Sequence, residues 1–249
     1  MTKALENVIA LCRQAGEVIL KYYAQGAPAQ TKDDGSPVTM ADLNTDRLIT
    51  QGLIKSFPGI PIISEESGIP DYQRRKGWKK FWLVDPLDGT KEFLNRNGDF
   101  TVNVALIEEG QPQLGVILAP AKGSLYYAAK GAGSWKQEST GKPRRIFSRP
   151  ADPKKPLVIV ESRSHGSQKL DLFLQGYQVA RRIQVGSSLK FCLVAQGSAD
   201  LYPRFGPTME WDVAAGDCIY RNSGRTAPRP SSLTYNKPDL RNADFVLGF

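Results

Sequence analysis

Hydrophobic residues recur at helical spacing at the start of the chain. Leu5, Val8, Ile9, Cys12, Ala15, Ile19 and Tyr23 share one face of a predicted helix. A second helix is predicted from about Met40 to Phe57, with Leu43, Ile49, Leu53 and Phe57 turned inward. The pattern then changes to short apolar runs. Ile60 to Ser64 and Phe81 to Val84 read as buried strands, and Phe100 to Ile107, Gln113 to Ala119 and Ser124 to Ala129 as an antiparallel meander. Turns at Glu108-Glu109-Gly110-Gln111 and Pro120-Ala121-Lys122-Gly123 join the last three. The polar, proline-rich stretch Ser148 to Pro156 is the best boundary. Beyond it, strand Leu157 to Glu161, helix Ser167 to Gln175, strand Val179 to Val185, helix Leu189 to Gln196, strand Asp200 to Tyr202 and helix Trp211 to Arg221 alternate as α/β units do. The pattern thus predicts an α+β domain over residues 1–152 and an α/β domain over 153–249, while the tail from Arg225 carries no usable motif.

Two of the predicted strands end in acid. Phe81-Trp82-Leu83-Val84 runs into Asp85-Pro86-Leu87-Asp88-Gly89-Thr90, where Pro86 should stop the ladder and Gly89 permits a tight turn that frees the Gly89 and Thr90 amides. Glu65 and Glu66 follow Ser64 at once. Carboxylates beside free amides suit Mg2+ and phosphate together, because hard oxygen ligands select Mg2+ and its shell is completed by water and phosphate oxygens. Asp-Pro and Asp-Gly are also ordinary turn dipeptides. Asp212, in the first turn of the last helix, could equally compensate the helix dipole. Ala214, Ala215 and Gly216 beside it would allow close packing. Thr39 and Asp42 fit the capping pattern at a helix start.

Glu65-Glu66-Ser67, Asp85-Pro86-Leu87-Asp88-Gly89-Thr90 and Trp211-Asp212-Val213-Ala214-Ala215-Gly216 together resemble the metal signature of the inositol monophosphatase superfamily of Mg2+-dependent, lithium-sensitive phosphomonoesterases. Thr90 to Phe93, Asn97 to Ile107, Gly186 to Ala195 and Leu201 to Pro207 narrow the resemblance to its CysQ-type 3'(2'),5'-bisphosphate nucleotidases, over most of the chain from about Ser36 to Gly216. The resemblance implies a layered αβαβα sandwich and two or more Mg2+ ions held by Glu65, Asp85, the Leu87 carbonyl, Asp88 and Asp212, with Glu65 preferred to Glu66. It also implies Asp42, Thr90 and Glu65 as catalytic residues, the first two activating water, and Gly89, Thr90, His165, Ser187, Lys190, Arg204 and Asp212 as substrate contacts. Lys32, Asp33 and Asp34 fall where the family has a mobile loop near an additional metal. The favoured substrate is 3'-phosphoadenosine 5'-phosphate, with its sulfated relative as a second, in sulfate assimilation.

One part of that assignment has a physical argument of its own. If Ser187 or Ser188 caps the helix that follows, Lys190 lies in its first turn, where a cation opposes the dipole unless an anion is held there. Arg204 and the lone histidine, His165, would each otherwise read as ordinary surface residues.

Composition narrows the alternatives. With 249 residues and 41% hydrophobic content the chain can bury a sizeable core. No apolar run approaches the ~18 residues of a membrane span, and Glu6, Arg13 and Glu17 break the N-terminal stretch, so a reducing cytoplasm is the expected compartment. The three cysteines, Cys12, Cys192 and Cys218, lie far apart and suggest neither disulfides nor zinc. A net charge of +8 would help gather a polyanion. The run Arg74 to Lys80 is read as a solvated loop between strands rather than a nucleic-acid or peripheral membrane patch, lacking the repeated aromatic platforms of single-strand binders. Two alternatives stay open: an inositol or sugar phosphatase sharing the acids, and a basic nucleic-acid-binding module in which the acids are structural.

Overall fold

The computed structural model describes residues 2–26, 29–31, 37–163, 168–227 and 229–249. Helix α1 (Lys3–Gln25) starts at an N-cap, where Thr2 Oγ1 accepts from the Leu5 amide at 3.4 Å, and it buries Leu5, Val8, Ile9, Cys12, Ala15 and Ile19. Strands β1 (Ala29–Thr31) and β2 (Pro37–Thr39) pair antiparallel and lead into helix α2 (Met40–Ser56). Its inward face differs from the expected one. Ala41, Ile49 and Leu53 are buried, but Leu43 is 37% exposed, and Asp42 and Asp46 hold the inward positions instead. Leu43 follows Ala41 by two residues, about 200° around the helix, so it faces away from them.

A seven-stranded sheet forms the centre: β3 (Ile62–Ser64), β4 (Lys80–Asp88), β5 (Thr101–Glu108), β6 (Gln111–Ala119), β7 (Ser124–Ala129), β8 (Gly133–Glu138) and β9 (Arg144–Ile146), in that spatial order. β3 runs parallel to β4 and every later pair is antiparallel. Both faces are covered, which explains the unbroken apolar run. Alternation sends Trp82 and Val84 into a core with α1 and α2, and Phe81 and Leu83 into a second core on the other side. β8 and β9, rich in polar and basic residues, extend the sheet beyond the three meander strands that the hydrophobic pattern reveals.

That second core is shared with the rest of the chain. Helix α6 (Leu189–Ala195) and helix α7 (Glu210–Arg221) pack there, and a Cβ built on Gly115 of β6 would lie 2.6 Å from the Ala215 carbonyl. Beyond them, β10 (Leu157–Ser162) runs parallel to β11 (Val179–Val185), and β12 (Tyr202–Arg204) pairs with β13 (Phe245–Leu247). Val160 of β10 faces the α6 and α7 core, while Leu157 and Ile159 pack with Leu170 and Leu174 of helix α5 (Gln168–Leu174). The layers therefore run α1/α2, sheet, α6/α7, strands, α5: an αβαβα sandwich. Ser148 to Pro156 connects the large sheet to β10, and the second core draws residues from both sides of it.

The basic run Arg74 to Lys80 is not a simple solvated loop. Helix α3 (Tyr72–Arg75) opens it, and Arg75 is 1% exposed. Its guanidinium donates to the carbonyls of Pro70, Lys237 and Pro238 and to Asn236 Oδ1, while Lys79 and Lys80 pair with Glu109 and Glu108. The tail thus has a structural task. Asn236 and Lys237 donate their amides to fully buried Glu210, the first residue of α7, two positions before Asp212.

Candidate active site

Pro86 does not end the ladder of β4. The strand bulges: Asp85 opposes Asn103 and Asp88 opposes Thr101, so β4 carries one more residue than β5 across that interval. The bulge accommodates a residue without an amide hydrogen and re-aims the side chains around it. The Leu87 amide donates to Asp85 Oδ1 at 3.2 Å, and Gly89 takes the left-handed conformation, φ 92°, as N-cap of helix α4 (Thr90–Leu94). As first amides of a helix, those of Thr90 and its neighbours have no intrahelical acceptor.

The bulge opens onto a pocket of about 300 Å³. Glu65, Asp85, Leu87, Asp88, Gly89, Thr90 and Asp212 line it together with Ser187, Lys190 and Arg204. Asp42 reaches this group through Thr90, whose hydroxyl donates to Asp42 Oδ1 at 3.1 Å. The other oxygen, Oδ2, accepts the Thr39 amide at 2.7 Å and the Thr39 hydroxyl at 2.6 Å, completing the capping box of α2. Capping and contact with the site thus use different oxygens of one carboxylate. One turn further along α2, Asp46 accepts the hydroxyls of Ser64 and Ser67, which flank Glu65 and Glu66. His165, with Lys32, Asp33 and Asp34, lies outside the described residues.

The serines before α6 behave differently from a simple cap. Ser188 is the N-cap residue, yet its hydroxyl makes no cap bond. It donates to Asn103 Oδ1 at 2.7 Å and lies 2.9 Å from Thr101 Oγ1, while the Ser188 amide donates to Asp88 Oδ2 at 2.6 Å. Asp88 and the turn before Lys190 are thereby one hydrogen-bonded unit. Ser187 adopts φ 50°, and its hydroxyl is buried with no hydrogen-bond partner among the described residues. Nor is Lys190 a surface cation. Its ammonium donates to the Ser187 carbonyl at 2.5 Å, above the Tyr202 ring, and burial lowers its pKa to about 8 even though Asp88 pulls it up. Arg204 donates to the Pro207 carbonyl and keeps a buried Nε without a partner among the described residues.

The profile of the Inositol monophosphatase family matches residues 1–244. The chain belongs to the inositol monophosphatase family. Among its relatives, the Salmonella typhimurium protein named 3'(2'),5'-bisphosphate nucleotidase CysQ is 50% identical over 217 residues, 86% of each chain. The protein of the same name from Escherichia coli K12 is 47% identical over 222 residues, 88% of each. The crystal structure of CysQ from Bacteroides thetaiotaomicron is 37% identical and matches with a TM-score of 0.77, over 98% of this chain and 96% of that one. An IMPase from Thermotoga maritima, 22% identical with a TM-score of 0.81 over 99% and 92% of the two chains, shares the fold.

In this member of the inositol monophosphatase family, the acids disfavour their own ionisation. Burial, followed by the charges of Glu65, Asp88 and Asp212, holds the Asp85 carboxyl well above its ordinary range. Burial raises Asp88 to about 6, and burial with the Asp88 charge raises Asp212 to about 8. Among the described residues, no three His, Cys, Asp or Glu side chains are gathered closely enough to hold an ion as they stand. The donor set nevertheless fits Mg2+: several carboxylates around one pocket, all oxygen donors, with room for water and phosphate oxygens.

A pH-dependent stability follows. A carboxylate raised in the fold keeps its proton where the unfolded chain has lost it, between about pH 4 and about 8, so these groups make the metal-free fold less stable as pH rises across that window. We expect the Tm in EDTA to fall from about pH 5 to about 8, and the rise in Tm on adding Mg2+ to grow over the same range, since binding to the native state alone stabilises it. A Mg2+ increment that is absent, or that shrinks with pH, would contradict this assignment of the acids.

Proposed function

We propose that this chain is a Mg2+-dependent 3'(2'),5'-bisphosphate nucleotidase that hydrolyses 3'-phosphoadenosine 5'-phosphate to AMP and phosphate, accepts 3'-phosphoadenylyl sulfate as a second substrate, and serves sulfate assimilation. The observation that carries this reading is a second cationic subsite, Ser187, Lys190 and Arg204, in the same pocket as the acids. A phosphate monoester without a second anion has no use for it. The low pKa of Lys190 and the Arg204 Nε, without a partner among the described residues, are the features an incoming phosphate would correct. The relatives named bisphosphate nucleotidase support the same reading.

In this reading residues 1–152 contribute most of the metal ligands, and 153–249 contribute the substrate contacts and Asp212. Glu65, Asp85, the Leu87 carbonyl, Asp88 and Asp212 hold Mg2+. When bound, the metal acidifies water and neutralises charge on the phosphoryl oxygens. Thr90, which gives its hydroxyl hydrogen to Asp42, would accept a hydrogen from the attacking water on its oxygen. Burial raises the Asp42 pKa, which makes it a better base than an exposed aspartate. The amides of Gly89 and Thr90 bind the scissile phosphate.

Phosphate release from 3'-phosphoadenosine 5'-phosphate, compared with inositol 1-phosphate and fructose 1,6-bisphosphate in Mg2+ and in EDTA, tests the proposal. A preference in kcat/KM of about a hundredfold or more, about 2.7 kcal/mol of transition-state discrimination, is expected for the adenosine bisphosphate. Equal or better turnover of the other substrates would reject the nucleotide while keeping the acids catalytic. Release that persists in EDTA would reject the metal.

A further inference from the structure

One of the pocket's turns, the end of a neighbouring strand and the turn after β6 meet on one carboxylate outside the acidic motifs. Asp99 lies between α4 and β5, is 2% exposed, and does not line the pocket. Its Oδ1 pairs with Lys122 at 2.9 Å. Its Oδ2 accepts Arg163 Nη2 at 2.8 Å, Arg163 Nε at 3.2 Å and the Gly186 amide at 3.1 Å. Burial alone would raise its pKa, but Lys122, Arg163 and the Gly186 amide together hold it below the ordinary value, so the group is an anion at neutral pH.

The Asp99 backbone is wedged as tightly as its side chain. A Cβ on Gly186 would lie 2.8 Å from the Asp99 carbonyl oxygen, and one on Gly89 would lie 3.2 Å from it. Gly89 heads the turn offered to the scissile phosphate, and Gly186 heads the turn that carries Ser187 and Lys190. Arg163 reaches from the end of β10 and also holds the Gln184 carbonyl at 3.2 Å, bracing the end of β11 that feeds the second turn. Asp99 and the neighbouring Glu92, whose Cγ would lie 2.6 Å from a Cβ on Gly186, therefore pack between both anion-binding turns, and it is the Asp99 carboxylate that ties down the second.

We propose that Asp99 is a positioning residue that fixes the separation of the two anion subsites, and so determines the preference for substrates with two phosphates over those with one. This rests on the nucleotidase reading of the pocket. A monoester uses only the Gly89 side and is insensitive to that separation. A bisphosphate must satisfy both sides at once, so a small drift of the Gly186 turn weakens its binding without altering the chemistry.

The test is Asp99→Asn in the full chain. Asparagine keeps the shape and one acceptor for the Gly186 amide but loses the charge that holds Lys122 and Arg163. KM for 3'-phosphoadenosine 5'-phosphate is expected to rise by on the order of tenfold, the size typical of removing an outer hydrogen-bond partner, with kcat within about threefold. KM for adenosine 3'-phosphate should stay within about twofold, and so should the Kd of AMP, titrated calorimetrically in EDTA, because a single phosphate engages one subsite and does not sense the separation. If the wild-type protein does not prefer the bisphosphate to the 3'-monophosphate, the nucleotidase reading itself fails. If the wild type does prefer it and Asp99→Asn leaves that ratio unchanged, damages both substrates equally, or weakens AMP as much as the bisphosphate, the role given to Asp99 is overturned. Should Asp99→Asn not fold, Arg163→Gln carries the same comparison, because it removes the Asp99 contact from a side chain that is 45% exposed.

Discussion

Replacing Asp88 by asparagine is expected to lower Mg2+-dependent kcat/KM by about a thousandfold or more, the several kcal/mol that a metal ion contributes to transition-state stabilisation, and to leave the fold intact. The hydrogen bonds explain both halves of that result. The Ser188 amide, Asn103 Nδ2 and the Thr101 hydroxyl all donate to Asp88 Oδ2, so Oδ1 is the oxygen to offer a cation. An asparagine at this position keeps its carbonyl toward the three donors and turns its amide nitrogen to the pocket, where it cannot ligate a metal. The substitution removes a buried charge from a crowd of acids and also the anion that faces buried Lys190, so the two effects oppose each other and the Tm in EDTA should change little. Near wild-type turnover would remove Asp88 from the metal site, and a collapse in Tm would show that the carboxylate is needed for folding.

The part of this site that could be read from sequence is the part encoded locally. Asp85, Asp88 and Glu65 stand at the ends of short apolar runs, and Asp42 stands three residues after a capping threonine, so neighbours within a few positions reveal them. Asp42 and Asp212 are in fact the same device used twice. Each is the third residue of a helix, each accepts the amide of the residue before that helix, and each also meets the site. A capping role therefore does not exclude a site role, because each uses one carboxylate for both contacts. What stayed illegible depends on distant partners. Ser188 reads as a cap until Asp88, a hundred positions away, takes its amide. Arg75 reads as a solvated cation until the carbonyls of Lys237 and Pro238 surround it. Leu43 faces outward because the inward positions on α2 go to Asp42 and Asp46, whose burial depends on hydroxyls from other elements. The layered sandwich followed from the family resemblance; the periodicities alone gave only a mixed half followed by an alternating half.

Asp42→Asn is expected to lower kcat by roughly a hundredfold to ten-thousandfold, the range for loss of a general base, with Mg2+ affinity unchanged. The argument again turns on which atom faces which partner. Two Thr39 donors converge on Asp42 Oδ2, so an asparagine would place its single oxygen there and preserve the cap. Its amide nitrogen would then face Thr90 Oγ1 and donate to it. That reverses the bond seen in the structure, where Thr90 is the donor. The Thr90 hydrogen would be pushed outward toward the water, and the hydroxyl could no longer accept the proton that attack must release. Thr90→Val should produce a loss of similar size by removing the same relay. The double variant Asp42→Asn with Thr90→Val should be little worse than either alone, since residues acting as one unit are not additive. Kinetics and Tm on the three proteins decide the matter. Additive losses would mean that Asp42 and Thr90 act separately, whereas a loss of unfolding free energy well beyond the ~1 kcal/mol of a helix cap would return Asp42 to a purely structural role.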